Sequence, residues 1–381
     1  MPAAARLDIV AGDHQTGAAG SELPDPLAVR LLDASNRAVR NQIVNFRVTA
    51  GGGSVFAGVG LTNDEGLAHE RWTLGSELGV QTLEARAVDS VTGEKLLLAT
   101  FEATAVDLSS GQGRGSGIVN ECSNPAAGWI FCDDFEQNRL DSYFEYDDAG
   151  GAFARIGSTG VEGSFGMRTQ FGQGSVNAGS LKLAFGRTPD GYFRPADAGT
   201  ANYREIYWRV YVRNEPGWTG GGGDKLSRAT SFATSNWAEA FIAHVWSGGG
   251  SDANYLVADP ASGTDAQGNL QTTVYNDFDN LRWLSAQRGV TPLFGGQRVG
   301  EWHCVEARAR LNDAGQANGL FEIWVDGELD SRVLDLNWVG AYDSYGINAV
   351  FIENYWNDGS PRSQERYLDN FVVSTQPIGC E

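Results

Sequence analysis

Short segments in which apolar and polar residues alternate recur along the whole chain. Alternation with a period of two is typical of a β-strand that has one face in a core and the other face in water. Long apolar runs at helical spacing are not found in the sequence. The pattern therefore predicts an all-β protein. In the clearest segment, residues 205–213, one face carries Ile206, Trp208, Val210 and Val212, and the other carries Tyr207, Arg209, Tyr211 and Arg213.

The spacing of turn residues divides the chain into two domains. In the first part, strand-length segments such as 27–33, 38–48 and 81–87 are separated by turn residues about every ten positions, which predicts a β-sandwich over residues 6–106. A Gly/Ser-rich stretch predicts a flexible linker over 107–119. The second domain then covers 120–381.

Composition and charge narrow the possible partners. The 381 residues include 50 Gly, 11 Trp, 12 Tyr and 18 Phe, which favours short strands joined by tight turns. The net charge of −20 argues against nucleic acid as a partner, because phosphates need a basic surface. An acidic polysaccharide would need a local basic cleft. The sequence has no stretch that is long and apolar enough to cross a bilayer.

Four cysteines, all in the second part, indicate two disulfides and an oxidising compartment. Three pairings are possible, of which Cys122–Cys132 with Cys304–Cys380 is the most local. The first six residues lack the apolar core of a signal peptide. We expect an extracellular or cell-surface protein whose signal peptide is not part of this sequence.

The face of 205–213 opposite the apolar residues combines aromatic and charged side chains. Sugar rings bind to aromatic rings that have hydrogen-bonding groups beside them. An outer face with ordinary cross-strand pairs is the alternative interpretation. The candidate sugar-binding residues are Tyr207, Arg209, Tyr211, Trp246, Tyr255, Glu306 and Arg308.

Two stretches resemble known families. The order of the segments over 6–106 resembles the bacterial Ig-like domains of invasin-type surface proteins, which implies a spacer or a link to a cell surface. In the second part, 132–136 (CDDFE), 300–306 (GEWHCVE), 324–327 (WVDG) and 368–371 (LDNF) resemble a concanavalin A-like jelly roll. Their order is similar to the alginate- and glucuronan-type polysaccharide lyases of families 14 and 20, and the same signatures occur in non-catalytic sugar-binding modules.

The resemblance to lyases implies two catalytic positions. In that group a Gly-rich loop leads to a catalytic Lys, here Lys225, and a later strand carries a catalytic or substrate-binding Tyr, here Tyr275. Ser227-Arg228 stands where Pro-Gly is usual in the group. The resemblance to jelly rolls further implies a structural calcium ion where the first and last strands meet, with Asp134, Glu136 and Asp369 as oxygen ligands. No organic cofactor and no zinc are expected.

Lyase chemistry on a uronate needs a group that neutralises the carboxylate, a base that removes the C5 proton, and an acid that protonates the leaving oxygen. The candidates are Arg228, Arg209 or Arg308 for neutralisation, Lys225, His244 or Tyr275 for the base, and Tyr275 or Tyr255 for the acid.

The sequence thus predicts a secreted, carbohydrate-active protein that binds a polysaccharide and cleaves a uronate polymer by lyase-like β-elimination. One alternative is a non-catalytic glycan-binding adhesin or extracellular structural protein. A second is a glycoside hydrolase, for which Glu306, Glu322, Glu353 and Asp326 offer carboxylates. The compact Glu-x-Asp-x-x-Glu motif of jelly-roll glucanases is absent from the sequence, so hydrolysis ranks below elimination.

Overall fold

A computed structural model describes residues 4–20, 22–23, 25–88, 95–106, 118–220, 223–295 and 298–380. Contacts divide the chain into two compact units, Met1–Gly113 and Arg114–Glu381. Most of the predicted linker, residues 107–117, lies outside the described residues. All regular elements in the described ranges are strands and short 3-10 turns, so the all-β prediction is confirmed. In these ranges no helix could reach across a lipid bilayer.

The first unit is a β-sandwich. One sheet has the order β1-β3-β7, a second has the order β2-β10-β9-β4-β6, and β5 pairs with β8. Both larger sheets contribute apolar side chains to one core, including Val29, Phe46 and Phe101, and β8 adds Trp72. The strands are β1 (Ala4–Ala11), β2 (Gln15–Ala18), β3 (Leu27–Asp33), β4 (Ile43–Ala50), β5 (Ser54–Val55), β6 (Val59–Leu61), β7 (Leu67–Glu70), β8 (Trp72–Thr73), β9 (Gly79–Val88) and β10 (Lys95–Val106).

The second unit contains sixteen strands in the described residues, with 3-10 turns between them. The strands are β11 (Trp129–Asp133), β12 (Glu145–Asp147), β13 (Phe153–Ile156), β14 (Gly166–Phe171), β15 (Asn177–Ala184), β16 (Glu205–Asn214), β17 (Lys225–Phe232), β18 (Glu239–Ser247), β19 (Leu256–Ser262), β20 (Arg282–Trp283), β21 (Gln287–Arg288), β22 (His303–Arg310), β23 (Gly319–Val325), β24 (Glu328–Leu336), β25 (Ala349–Tyr355) and β26 (Gln364–Ser374). The 3-10 turns are Ile118–Ser123, Leu140–Ser142, Ala149–Gly151, Val161–Gly163, Gly191–Phe193, Gly250–Asp252 and Phe278–Asn280.

These strands form a jelly-roll sandwich of two eight-stranded antiparallel sheets. The front sheet has the order β12-β15-β25-β17-β18-β19-β20, with β21 also on β19. The back sheet has the order β13-β14-β26-β16-β22-β23-β24, with β11 also on β26. Alternate residues of both sheets fill the core between them, among them Leu181, Trp208, Ala243, Phe321 and Ile352. The other face of the front sheet is therefore free to carry polar groups.

The two disulfides have the most local of the three possible pairings. Cys122–Cys132 ties Ile118–Ser123 to β11, and Cys304–Cys380 ties the C-terminal segment to β22. Both termini of the unit are thus fixed to the back sheet. Disulfides of this kind persist in oxidising compartments.

Candidate functional site

The outer face of the front sheet brings polar side chains from five neighbouring strands into one row. Lys182 pairs with Phe351, Phe351 with Arg228, Arg228 with His244, and His244 with Asp259. The residues next to them in the same strands point into the core. Because side chains alternate across a sheet, the row must face outward.

A β-bulge places Lys225 on this same face. Residues three apart in a regular strand point to opposite faces, so Lys225 and Arg228 would be separated by the sheet. The pairing of β17 with β18 shifts between Lys225 and Ser227, which inserts one extra residue. Leu226 then packs in the core, and the Ser227 Oγ accepts a hydrogen bond from the Trp208 Nε1 at 3.0 Å. Lys225 and Arg228 consequently share the outer face.

A pocket of about 290 Å³ opens above these strands. A volume of this size lies at the lower end of the range for small-ligand sites, about 300–1,000 Å³. Its wall combines carboxylates, amides, aromatic rings and two ammonium groups. The lining residues are Asp147, Asn177, Gly179, Ser180, Lys182, Lys225, Tyr275, Asn276, Phe278, Glu353, Tyr355 and Asn357.

The ammonium of Lys225 is enclosed by aromatic rings. Its Nζ lies 4.7 Å from the ring centre of Tyr355, 5.9 Å from that of Trp246 and 6.0 Å from that of Phe278. Within the described part of the chain, no hydrogen bond or ion pair holds this nitrogen. Burial lowers the pKa of Lys225, although the carboxylate of Glu353 opposes the shift. This lysine therefore gives up its proton more readily than a lysine in water.

Tyr275 is held in the pocket by Arg228. The Arg228 Nη2 donates to the Tyr275 hydroxyl oxygen, and its Nη1 donates to the Asn276 Oδ1 at 2.9 Å. Asn276 has a positive φ of 53° and donates its backbone N–H to the Glu239 carboxylate at 3.0 Å, which fixes the turn that carries Tyr275. Burial raises the pKa of Tyr275 well above 10, with Arg228 opposing the shift. The phenol keeps its proton at neutral pH.

The charge of Arg228 is already compensated. Its Nη1 lies 3.6 Å from Glu239 Oε1, and its Nε lies 3.4 Å from Glu353 Oε2. The guanidinium is fully buried. Arg228 therefore positions Tyr275 and does not present a free charge to a ligand.

His244 lies beside the pocket and does not line it. Its ring stacks on Trp246, with centroids 4.5 Å apart, and on Trp283, at 5.7 Å. Burial lowers the pKa of His244 well below 6.5, and Arg228 and Lys225 add to the shift, so the ring is neutral. Its Nε2 has no hydrogen-bond partner among the described residues.

The predicted sugar-binding face of 205–213 lies on the back sheet, and the expectation that it is exposed is wrong. Arg209 is fully buried, forms an ion pair with Glu121 and donates to the Gly379 carbonyl at 3.0 Å. Glu306 accepts the backbone N–H groups of Ile378 and Gly379 at 2.9 and 2.8 Å. The segments anchored by the two disulfides cover this face.

The other residues of that face take part in internal contacts as well. Arg308 forms ion pairs with Glu205 at 2.6 Å and Glu322 at 3.0 Å. The Tyr207 hydroxyl donates to Glu205 at 3.3 Å, and Tyr211 packs in a small buried cluster. The structure thus separates these predicted residues from Lys225 and Tyr275, which line the pocket on the other sheet.

Tyr255 is also outside the pocket lining. Its ring packs against the guanidinium of Arg288 at 4.4 Å, in the segment that leads into β19. Trp246, in contrast, contributes its ring to the enclosure of Lys225.

The three predicted calcium ligands each accept a backbone hydrogen bond. Asp134 Oδ1 accepts the backbone N–H of Glu136 at 3.3 Å, Glu136 Oε1 accepts that of Phe165 at 2.9 Å, and Asp369 Oδ2 accepts that of Val161 at 2.7 Å. Burial raises the pKa of Asp369 to about 8. Across the described ranges, no three His, Cys, Asp or Glu side chains form a group that could hold a metal ion. Calcium binding stays a prediction.

Several pocket residues were not singled out from the sequence. Lys182 follows the alternation of β15, and its position opposite Phe351 is visible only once the strands are paired. Glu353 was considered only as a hydrolase carboxylate. Phe278 and Trp283 lie in a long connection without strand periodicity, so no signal marks them. The lining residues missed in this way are Asp147, Asn177, Gly179, Ser180, Lys182, Asn276, Phe278, Tyr355 and Asn357, and Trp283 was missed outside the lining.

Comparison with known proteins gives matches among solved structures. No protein-family model matches the chain, and no curated protein matches it significantly. The chain is similar to an endo-β-1,4-glucuronan lyase from the fungus Trichoderma reesei, with 14% identity, 65% of this chain and 96% of the lyase covered, and a TM-score of 0.45. It is also similar to the PL-14 alginate lyase from Aplysia kurodai, with 12% identity, coverage of 66% and 100%, and a TM-score of 0.45.

A shorter similarity is to the D00-D0 domain of intimin, with 16% identity, coverage of 27% and 47%, and a TM-score of 0.21. With such identities and TM-scores below 0.5, none of these similarities carries an argument about activity or substrate. The function must therefore follow from the site itself. In structure the chain resembles the alginate and glucuronan lyases and, over a smaller part, an intimin domain, as the sequence predicts.

Proposed function

We propose that this protein is an extracellular polysaccharide lyase that cleaves a uronate-containing polymer by β-elimination. The observation that carries the proposal is the pairing, in one pocket, of a lysine without a hydrogen-bond partner in the described residues and a protonated tyrosine held by an arginine. β-Elimination needs two proton transfers, and these two side chains provide them.

Lys225 is the proposed base. A base must give up its own proton before it can take one from C5 of the sugar. The burial of Lys225 lowers the cost of losing that proton, although its contacts with ring faces favour the ammonium form. In the reaction, the neutral amine takes the C5 proton, the C4–O bond breaks, and a C4–C5 double bond forms.

Tyr275 is the proposed acid. Its oxygen accepts a hydrogen bond from Arg228, so its own O–H remains available to the leaving oxygen at C4. The cation beside it would stabilise the phenolate that forms when the proton is transferred. Arg228 thus supports the acid through its position and charge.

Lys182 is the proposed partner of the uronate carboxylate. It is the other ammonium group in the pocket wall and has an ion pair with Glu145 on one side. Neutralising the carboxylate makes the C5 proton acidic. The amide of Asn357, which also lines the pocket, is a second donor for the same group.

Hydrolysis is less suited to this pocket. A glycosidase needs a carboxylic acid that keeps its proton. The hydrogen bond from Asn177 lowers the pKa of Asp147, and Glu353 lies against Arg228. Asp147 is therefore held as an anion, and the Glu353 carboxylate is engaged by the arginine.

Glycan binding without catalysis is the second candidate function. The exposed aromatic rings of Phe278 and Trp283, 43% and 44% exposed, could bind sugar rings whether or not the bond is cleaved. A link to a cell surface through the first unit suits this candidate and the lyase equally.

The test is to measure the ultraviolet absorbance of the unsaturated uronate product with a panel of uronate polymers. We expect product with the intact protein, and a loss of about 10²–10⁴ in kcat for both Lys225→Ala and Tyr275→Phe. Arg288→Ala removes an exposed cation outside the pocket and serves as the control, with kcat unchanged. Binding without any product over the panel would support the second candidate, and a fully active Lys225→Ala variant would remove the proposed base.

A further inference from the structure

Three aromatic rings continue from the pocket toward the edge of the front sheet. We call Trp246, Phe278 and Trp283 the aromatic lane. Trp283 lies 6.2 Å from Trp246 and 6.4 Å from Phe278 between ring centres, with planes only 14° and 13° apart. Phe278 also lines the pocket, so the lane and the pocket are continuous.

The lane runs across the strands. Trp246 lies on β18, and Trp283 lies on β20 at the end of the sheet order, beyond β19. Neighbouring strands are about 4.8 Å apart, so the path from β25 to β20 is about 19 Å long. A polymer whose reacting sugar occupies the pocket would therefore place further sugars over the lane.

Cations beside the lane are already engaged. Arg282 donates to the Ser262 Oγ at 3.1 Å and to the Asn337 carbonyl at 3.0 Å. Arg288 pairs with Asp252 and packs on Tyr255.

Negative charge is present at the lane and dominates the chain as a whole. Asp259 lies on β19 next to His244 and interacts with the side chain of Trp246. In the pocket, Asp147 and Glu353 face Lys182 and Lys225. The whole chain carries a net charge of −20.

This distribution of charge favours a substrate with a carboxylate on the sugar in the pocket and no carboxylate on the next sugar. A homopolymer of uronates would place a second carboxylate over the lane near Asp259, where Arg282 and Arg288 have partners of their own and Lys225 is assigned to the reacting sugar in the pocket. An uncharged ring would gain the stacking contact without that repulsion.

We propose that the aromatic lane binds a neutral sugar, and that the substrate is a heteropolysaccharide in which uronates are separated by neutral sugars. This inference rests on the proposed function, because it assigns the uronate to the pocket that contains Lys225. It differs from the specificity for alginate or glucuronan, in which every sugar carries a carboxylate.

The experiment compares two groups of polymers with the full-length protein. Gellan carries a glucuronate between neutral sugars, with the leaving sugar at its C4, whereas glucuronan and alginate carry a uronate at every position. We expect the highest kcat/KM with a heteropolymer. Trp283→Ala should lower that value about tenfold, the equivalent of about 1.4 kcal/mol of lost stacking, and should change the value for homopolymers by less than about twofold.

Matched variants control for folding. Trp283→Phe retains an aromatic face and should keep most of the activity. Phe56→Ala removes an apolar side chain that is 85% exposed in the first unit and should have no effect. A homopolymer that is cleaved as well as the best heteropolymer, or an equal loss with both groups in Trp283→Ala, would overturn the inference.

A calorimetric titration separates this inference from the proposed function. Oligosaccharides from both groups are titrated into the Lys225→Ala variant, which need not cleave them. Tighter binding of the mixed oligosaccharides, weakened by an added Trp283→Ala change, supports the inference even if the wild-type protein forms no product. Tighter binding of the homopolymer fragments, or no binding of any mixed oligosaccharide, contradicts it.

Discussion

An ammonium group surrounded by aromatic rings has exchanged most of its hydration for weaker contacts with ring faces. Cation–π contacts recover about 0.5–2 kcal/mol, which is less than the cost of removing the charge from water. For Lys225 this imbalance favours the neutral amine. Tyr275, in contrast, is pushed toward its neutral, protonated form by burial. Burial thus shifts each side chain toward the protonation state that its proposed role requires.

The pH dependence of cleavage follows from these two shifts. The neutral fraction of Lys225 increases about tenfold per pH unit below its pKa, so kcat/KM should rise with pH, and the midpoint of the rise should lie below pH 10.5, the ordinary pKa of lysine. The pKa of Tyr275 lies above its ordinary value of 10.0, so loss of the acid's proton should not reduce the rate up to about pH 10. Initial rates of product absorbance over this range measure the profile.

A maximum in the acidic range would contradict this assignment, because Lys225 would then be protonated. The Arg288→Ala variant should reproduce the wild-type profile, since Arg288 lies outside the pocket. Lys225→Ala should leave a residual rate without the rise toward high pH.

At the scale of elements, the bulge in β17 decides which side chains meet. One extra residue places Leu226 and Ser227 toward the core and leaves both Lys225 and Arg228 outside. The hydrogen bond between Trp208 and Ser227 connects the bulge to the back sheet. The bulge is therefore stabilised by a side chain from the opposite sheet of the sandwich.

We predict that Ser227→Ala lowers the free energy of unfolding by about 1–3 kcal/mol, because it leaves the buried Trp208 N–H without its acceptor. Urea unfolding followed by tryptophan fluorescence measures this change. Ser331→Ala is the matched control: its buried hydroxyl has no hydrogen-bond partner among the described residues, so removal should not destabilise the protein. Equal losses in the two variants would show that the hydrogen bond does not anchor the bulge.

At the scale of the whole molecule, each unit has its own hydrophobic core, and all four cysteines belong to the second unit. The Cys304–Cys380 bond spans 76 residues and the Cys122–Cys132 bond spans 10. By restricting the unfolded chain, the disulfide that closes the longer loop should stabilise the fold by about 4 kcal/mol, and the one that closes the shorter loop by about 3 kcal/mol. The second unit should therefore depend on oxidation far more than the first.

Calorimetry of the full-length protein should show two thermal transitions, of which only that of the second unit is lowered by a reducing agent. The shift should be roughly 15–30 °C, since both disulfides together contribute about 7 kcal/mol and 1 kcal/mol corresponds to about 2–4 °C for a domain of this size. Cys304→Ser with Cys380→Ser should lower the same transition without a reductant. A reductant that shifts both transitions equally would contradict the assignment.

Alternation of apolar and polar residues was sufficient to predict the all-β fold. The same alternation could not show which polar face of a strand is exposed to water. It identified the side of β16 that carries Tyr207, Arg209 and Tyr211, but water does not reach that side because the two chain segments anchored by disulfides cover it. The domain limits 6–106 and 120–381 remain predictions, as does the role of the first domain as a spacer.

The sequence by itself determined the strand pattern, the sandwich class and the acidic charge, because these are encoded in local spacing and composition, and its resemblance to lyases implied two candidates, Lys225 and Tyr275. Only the tertiary structure decided which charged side chains remain available to bind a ligand. Arg228 is neutralised by Glu239 on β18 and by Glu353 on β25, which reach it because both strands pair with β17. Whether one charged side chain neutralises another depends on the distance between them across a sheet. The order of residues along one strand does not contain that distance.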